Sequence, residues 1–337
     1  MALINRQITL ASRPVGLPKI SDFQLTYSPL PSPAAGEVLV RSVYLSLDPY
    51  MRERMSAAAS HGQPIAIGEV MTGGAVAFVV ESSDPHFRVG DAVEGSLGWQ
   101  EYAVARGSAL RKIDASLAPI STALGVLGLP GLTAYFGLLQ IGAPRRGETV
   151  VVSGAAGAVG MLVGQLAKIK QCRAVGVAGS DAKISWLIDE LGFDGALHYR
   201  TAADLDADLA GLYPRGIDVY FDNVGGAITD AAVRQLNTGA RIPLCGQISQ
   251  VNLEEPELGP RWLGHLIVKE ARAQGFLVSA YAERFAEGRE QLAQWLQQGK
   301  LKYREDVAQG LEAAPQAFIG MLQGRNQGKQ LVQLSPS

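Results

Sequence analysis

Through the first third of the chain, apolar and polar positions alternate in short runs at 37–43, 75–80 and 100–105, separated by Gly, Pro and Asp-Pro signals. A period of two between turn residues predicts strands. The stretch Tyr27-Ser28-Pro29-Leu30-Pro31-Ser32-Pro33 predicts an extended surface connection, because each proline fixes φ and removes a backbone donor. Phe87-Arg88-Val89-Gly90-Asp91-Ala92-Val93 reads as a turn feeding a further strand. The expected result is a compact, barrel-like β domain.

Beyond residue 120 the period changes. Apolar runs at 149–153, 174–178, 195–199 and 217–221 alternate with helical patterns, among them 158–170 and 181–191. Strands alternating with helices of this length predict an α/β unit, a doubly wound parallel sheet with right-handed crossovers. The last apolar run, 329–334, is a short strand placed to rejoin the β domain. The length of 337 residues exceeds what one domain usually holds and agrees with two.

Composition narrows the function classes. With 47% hydrophobic and 18% charged residues the chain suits a packed core and not disorder. A formal net charge of −2 and the lack of a basic patch argue against nucleic acid or an anionic membrane as partner. Apolar stretches are interrupted well short of the ~20 residues a spanning helix needs. The opening Met1-Ala2-Leu3-Ile4-Asn5-Arg6 lacks the apolar core of a leader. Two cysteines, Cys172 and Cys245, imply no disulfide framework, and a reducing, cytoplasmic setting is expected.

The sharpest local signal is Val150-Val151-Val152-Ser153-Gly154-Ala155-Ala156-Gly157-Ala158-Val159-Gly160. An apolar strand runs into glycines at 154, 157 and 160, and a helical pattern follows at once. Glycine lets the backbone turn tightly and approach a pyrophosphate, and the new helix directs its N–H groups and positive end at phosphate oxygens. The spacing is a variant of the dinucleotide fingerprint. An NAD site would place an acid about 20 positions on, to accept the ribose 2′-hydroxyl. Ser180 falls there instead and Lys183 follows, a pair suited to a 2′-phosphate, so NADP(H) is the expected cofactor. Asp181 is expected to cap the helix or face solvent.

No metal is expected. The histidines His61, His86, His198 and His265 do not pair with a cysteine or histidine at ligand spacing, and two cysteines cannot build a four-cysteine site. No Gly-x-Ser-x-Gly elbow occurs. Cys245 ends an apolar strand and reads as a small buried hydrophobe able to touch a cofactor. Tyr50, in Asp48-Pro49-Tyr50-Met51-Arg52, is the remaining weak acid; residue chemistry alone favours packing for it over catalysis, with Asp48 as a turn former.

Those last five residues also carry a resemblance, with Gly128-Leu129-Pro130-Gly131-Leu132-Thr133-Ala134-Tyr135, the 155–160 turn, Tyr220-Phe221-Asp222-Asn223-Val224-Gly225-Gly226 and Asn326-Gln327-Gly328-Lys329. Nearly end to end the chain resembles the zinc-independent medium-chain dehydrogenase/reductases of the leukotriene B4 12-hydroxydehydrogenase/prostaglandin reductase, double-bond reductase and curcumin reductase branch. The resemblance implies a GroES-like domain at 1–125, completed by 310–337, and a Rossmann NADPH-binding domain at 126–309. It implies an active site in the cleft, dimerisation through Rossmann sheet edges, and reduction of the C=C bond of α,β-unsaturated ketones and aldehydes.

Carried over by motif, Ala156, Gly157, Ala158, Val159 and Gly160 would cradle the pyrophosphate. Ser180, Lys183 and Tyr199 would hold the 2′-phosphate. Asn223 and Cys245 would contact the cofactor, Phe276, Leu277 and Val278 would offer backbone groups to the carboxamide, and Asn326 would meet the phosphate end. Tyr50 would face nicotinamide and substrate, a catalytic role where residue chemistry alone gives packing. Relatives place a tyrosine, associated with the substrate carbonyl, where this chain has Val251. The enolate is then left to Tyr50, a ribose hydroxyl or water. Met51, Val251 and Trp262 are expected to shape the pocket. The alternatives are a quinone or carbonyl reductase on the same fold, or an NADPH-binding protein without catalysis.

Overall fold

The computed structural model describes residues 4–57 and 62–335. The chain divides into two compact units, Met1–Gly125 with Glu305–Ser337, and Val126–Arg304. The return to the first unit comes at Glu305 and not at residue 310, because Glu305–Gln309 is already a strand of that unit's sheet, parallel to Lys329–Gln333.

In the first unit, Lys329–Gln333 pairs antiparallel with the long strand Glu37–Ser46, which also pairs with Gly74–Ser82 and Tyr102–Arg106. Ala92–Ser96 and the short Arg111–Lys112 extend the sheet. The expected strand at 100–105 begins only at Tyr102. Gln100 is drawn aside, its amide bonding Leu97 O (2.7 Å) and accepting from Gln7 (2.6 Å). Ile4–Leu10 and Phe23–Pro29 form a separate antiparallel pair. An aromatic cluster anchors this core: Trp99 stacks on Phe23 at 5.7 Å and meets Phe318 edge-on at 5.5 Å.

An ion pair with a buried ammonium and a partly exposed carboxylate joins the closing strand to the segment that carries Tyr50. Lys329 is 1% exposed, and its ammonium donates to Leu47 O (2.7 Å) and Asp48 Oδ1 (2.6 Å). The Ser46 hydroxyl donates to the other oxygen of the same carboxylate. Asp48 O then accepts from Met51 N (3.1 Å), starting the helical turn Tyr50–Arg54. Met51 and Met55 are fully buried beneath it, so the turn is held from both ends.

The second unit is built on six parallel strands in the order Gly195–His198, Arg173–Ala178, Thr149–Ser153, Ile217–Phe221, Leu236–Leu244, Arg272–Gly275. Thr149–Ser153 is buried at every residue, as a β-branched run covered on both faces must be. The helix expected over 158–170 spans Gly160–Ile169, its first residues having been taken by the glycine turn. The 181–191 pattern forms an α-helix at Asp181–Ser185 that widens into a π-helix at Trp186–Glu190. Among the described residues no helix is long and apolar enough to cross a membrane.

Replacing Lys329 by Met should strand the Asp48 carboxylate and Leu47 O. The expected loss is roughly 2 kcal/mol of unfolding free energy, below the value for a fully buried pair because solvent reaches the Asp48 carboxylate. Urea unfolding reads it as a lower midpoint at unchanged slope; an unshifted midpoint would show that the pair does not brace the segment.

Candidate nucleotide site and active-site residues

Strand order in the six-stranded sheet reverses between Thr149–Ser153 and Ile217–Phe221. Helices diverge to opposite faces at such a point and leave a crevice beyond the carboxyl ends of the strands. Every second-unit residue assigned to the cofactor from sequence follows one of those ends. Residues 156–160 follow the first strand of the chain order, Ser180 and Lys183 the second, Tyr199 the third, Asn223 the fourth, Cys245 the fifth, and 276–278 the sixth. Because all six strands are parallel, these residues share one edge of the unit.

The turn after the first strand fits a pyrophosphate. Gly154 has φ +60°, and Gly157 N donates back to Gly154 O (3.0 Å). A Cβ on Gly160 would lie 2.3 Å from Gly154 O and 2.7 Å from Ala155 Cα, so the helix can start this close to the turn only without a side chain there. Ala155 and Ala156 are buried, which leaves backbone rather than side chains at the helix start.

At the end of the second strand, Ser180 caps the next helix, its hydroxyl accepting from Lys183 N at 3.4 Å. The cap is therefore Ser180, while Asp181 faces solvent and shares a 3.1 Å hydrogen bond with His198 Nδ1. Tyr199 N donates to Ala178 O (3.1 Å), which brings its ring beside Gly179. Cys245 N donates to Asp222 O (2.8 Å), and burial, then the Asp222 charge, push its thiol up to about 12. That thiol is neutral at physiological pH and serves as an apolar surface. Phe276 packs edge-on against Phe221 at 6.3 Å, while Leu277 is 58% exposed. Val251 is half-buried in the loop after the fifth strand.

One residue that sequence reasoning did not single out organises this edge. Asp222 is 0% exposed, and among the described residues no cation pairs with it. Its Oδ1 accepts from Ser153 Oγ (3.0 Å), Tyr220 Oη (3.1 Å), Val224 N (3.0 Å) and Gly225 N (2.9 Å). Its Oδ2 accepts from Thr229 Oγ1 (2.8 Å) and Gln247 Nε2 (3.0 Å). Ser153 in turn accepts from Asn223 N (2.8 Å), and Asn223 Nδ2 donates to Ser153 O (2.8 Å). The ends of the first, fourth and fifth strands are thus tied to one carboxylate. A second aspartate directly after the strand pattern Ile217-Asp218-Val219-Tyr220-Phe221, following the apolar Val219-Tyr220-Phe221, was the available signal.

Tyr50 and Asn326 belong to the first unit. Burial, then the neighbouring Asp48 carboxylate, raise the Tyr50 phenol well above its ordinary range, which keeps it protonated. Asn326 turns its amide to Gly328 O (2.8 Å), shaping the bend before Lys329–Gln333. His86 is exposed beside Asp84, His265 is exposed, and His61 lies outside the described residues. Among the described residues no group of three or more His, Cys, Asp or Glu could hold a metal ion.

Asp222→Asn should cost about 3 kcal/mol or more, since donors aimed at one carboxylate oxygen would then meet an amide NH2. Thr229→Val, which removes a single donor, should cost about 1 kcal/mol. Equal losses for the two variants in urea unfolding would deny Asp222 its bracing role.

Comparison with known proteins agrees with this geometry. The family described as "N-terminal domain of oxidoreductase" matches residues 6–113, and "Zinc-binding dehydrogenase" matches 158–297. The chain is 46% identical to NADPH-dependent curcumin reductase of Escherichia coli, covering 98% of this chain and 97% of that protein. It is 44% identical to the NADP(+)-dependent 2-alkenal reductase of Nicotiana tabacum, over 98% of each. Among solved structures, CurA of Vibrio vulnificus in complex with NADPH superposes with a TM-score of 0.94 at 50% identity, over 98% of this chain and 100% of that one. The chain belongs to the medium-chain dehydrogenase/reductase family, in its zinc-independent branch of curcumin, alkenal and prostaglandin reductases.

Proposed function

We propose that this NADPH-dependent oxidoreductase reduces the C=C bond of α,β-unsaturated ketones and aldehydes. The observation that carries the reading is the six-stranded carboxyl edge, where a glycine turn that leaves no room for a side chain at Gly160 stands beside two neighbouring strand ends bearing Ser180 and Lys183, and Tyr199. The curcumin and alkenal reductases to which the chain is similar act with the same cofactor.

In this reading residues 156–160 hold the pyrophosphate by backbone N–H groups, and Ser180, Lys183 and Tyr199 hold the 2′-phosphate. Asn223 and Cys245 line the cofactor, 276–278 present backbone groups to its carboxamide, and Asn326 meets its phosphate end. Bound NADPH supplies a hydride to the substrate's β-carbon. The Tyr50 hydroxyl donates a hydrogen bond to the carbonyl oxygen as negative charge gathers there, an interaction stronger in the transition state than in the ground state. Its raised pKa suits that role, because the phenol keeps its proton while it donates. Lys329 and Ser46 fix Asp48 and so the turn that aims Tyr50. With Val251 standing where relatives have a tyrosine, Tyr50 carries this stabilisation without that second phenol, and solvent protonates the α-carbon.

The test is NADPH oxidation with 3-nonen-2-one, trans-2-hexenal, curcumin and a quinone, with NADH as control. Saturated ketone or aldehyde as product is expected. Oxidation by the quinone alone would reassign the enzyme to quinone reduction, and binding without turnover would remove catalysis. Tyr50→Phe should lower kcat by about a hundredfold or more, the scale of one lost oxyanion donor. In the wild type, kcat should show no alkaline fall near pH 10, because the Tyr50 proton is retained beyond it.

We also infer a homodimer. Arg272–Gly275 is an edge strand of the six-stranded sheet, and the adjoining helix Leu263–Val268 has no buried residue, with Leu263 69%, Ile267 78% and Val268 78% exposed. An open strand edge beside an apolar face suits pairing with a second copy. Light scattering should give twice the chain mass for the wild type and the single mass for Ile267→Glu; a monomeric wild type would end the inference. The free thiols Cys172 and Cys245 suit a reducing compartment, and we place the reaction in the cytoplasm.

A further inference from the structure

The end of the third strand carries a cation that the motif reading passes over. Arg200 follows Tyr199 directly, and its guanidinium is fixed on that side chain in two ways. Nε donates to Tyr199 Oη at 3.1 Å, and the guanidinium carbon lies 5.6 Å from the ring centroid. Both side chains lean across Gly179, the residue between the second strand and the Ser180 cap. A Cβ at Gly179 would stand 2.9 Å from Tyr199 Cε1 and 3.1 Å from Arg200 Nε. The missing side chain is the space that the tyrosine and the arginine occupy.

We propose that Arg200 is a specificity-determining residue for the 2′-phosphate, and that Gly179 positions it. The inference rests on the NADPH reading above and deepens it. The carboxyl end of the second strand is where a Rossmann unit meets the adenosine ribose, and a nearby arginine is the chemical answer to a phosphate there. Stacking and the Tyr199 bond fix the guanidinium before a ligand arrives, so little side-chain freedom is lost on binding. Its planar fork offers paired donors to phosphate oxygens, which Lys183 as a point charge does not. Asp181, the carboxylate next to the Ser180 cap, shares a hydrogen bond with His198. A cofactor with a bare 2′-hydroxyl would gain little from this arginine. Arg200 thus adds to discrimination and not merely to affinity.

The test uses two fragments of the cofactor, 2′,5′-ADP and 5′-AMP, titrated calorimetrically into full-length protein without substrate. Wild type should bind 2′,5′-ADP more tightly. Arg200→Leu should weaken 2′,5′-ADP by roughly tenfold to a hundredfold, the range for losing a charge-assisted bond, and leave 5′-AMP within about twofold. Arg200→Lys should fall between. Gly179→Ala, which keeps every charge but displaces Tyr199 and Arg200, should give the same selective loss.

Unchanged 2′,5′-ADP affinity in Arg200→Leu would overturn the assignment. So would an equal loss for both fragments, since that reports general damage to the nucleotide site. Unchanged selectivity in Gly179→Ala would overturn the positioning by Gly179. A wild type that binds the two fragments equally fails differently: it removes the NADPH reading itself.

Discussion

The Asp222 carboxylate, buried and with no cation paired to it among the described residues, is the constraint on which the nucleotide edge depends. An ion in the interior survives only when its lone pairs are filled, and here hydroxyls, an amide and backbone N–H groups fill them. Two donors, Ser153 and Tyr220, stand in the strands themselves and Thr229 in the following helix, while Val224, Gly225 and Gln247 belong to the loops beyond the strand ends. Where the strand order reverses, the ladder cannot hold these loops. One charge does so instead, binding Ser153, the 223–225 turn and Gln247 into a single arrangement.

The first unit holds its functional segment by a related means. Lys329 is buried but paired, and it grips both a backbone carbonyl and the Asp48 carboxylate. The closing strand of the chain thereby braces a segment far away in sequence. Tyr50 sits on the turn that results, and the charge that orients the turn also helps keep the phenol neutral. Structure and electrostatics act together here: a hydrogen-bond donor to a developing enolate is worth most when it is fixed and still protonated.

Recognition of the 2′-phosphate illustrates how a fold shared by many oxidoreductases acquires a preference. The parallel sheet brings the second and third strand ends side by side, and in the reading proposed above the preference is written by a few side chains there: a capping serine, a lysine one turn in, and a tyrosine and arginine packed over a glycine. A carboxylate at the Ser180 position would reverse it. Such changes leave the sheet untouched, which is why cofactor preference is a property of the site and not of the fold.

The sequence by itself determined the two-part organisation, the parallel α/β unit and the pyrophosphate turn, because these rest on local periodicity and on glycine chemistry read over a few neighbouring residues. It also gave the strand-end positions of Ser180, Lys183, Tyr199, Asn223 and Cys245, through motifs whose order along the chain mirrors the order of strands. The tertiary structure alone decided the rest. Asp222 reads in sequence as one letter of a motif; four of its six donors lie within seven residues of it, but Ser153 and Gln247, which tie in the first and fifth strand ends, come from 69 and 25 positions away. Lys329 stands in sequence only as the start of a short apolar strand, and the pairing of Lys329–Gln333 with Glu37–Ser46 buries it against Asp48. Arg200 reads as a solvated charge until Gly179, twenty-one positions earlier, is seen to open the space it fills. The return of the chain at Glu305 was hidden for the same reason: Glu305–Gln309 is only partly buried and carries no strong alternation, and its partner Lys329–Gln333 makes it a strand. Partners brought together across long separations leave no periodic trace, and the functional edge of this protein is built mostly from them.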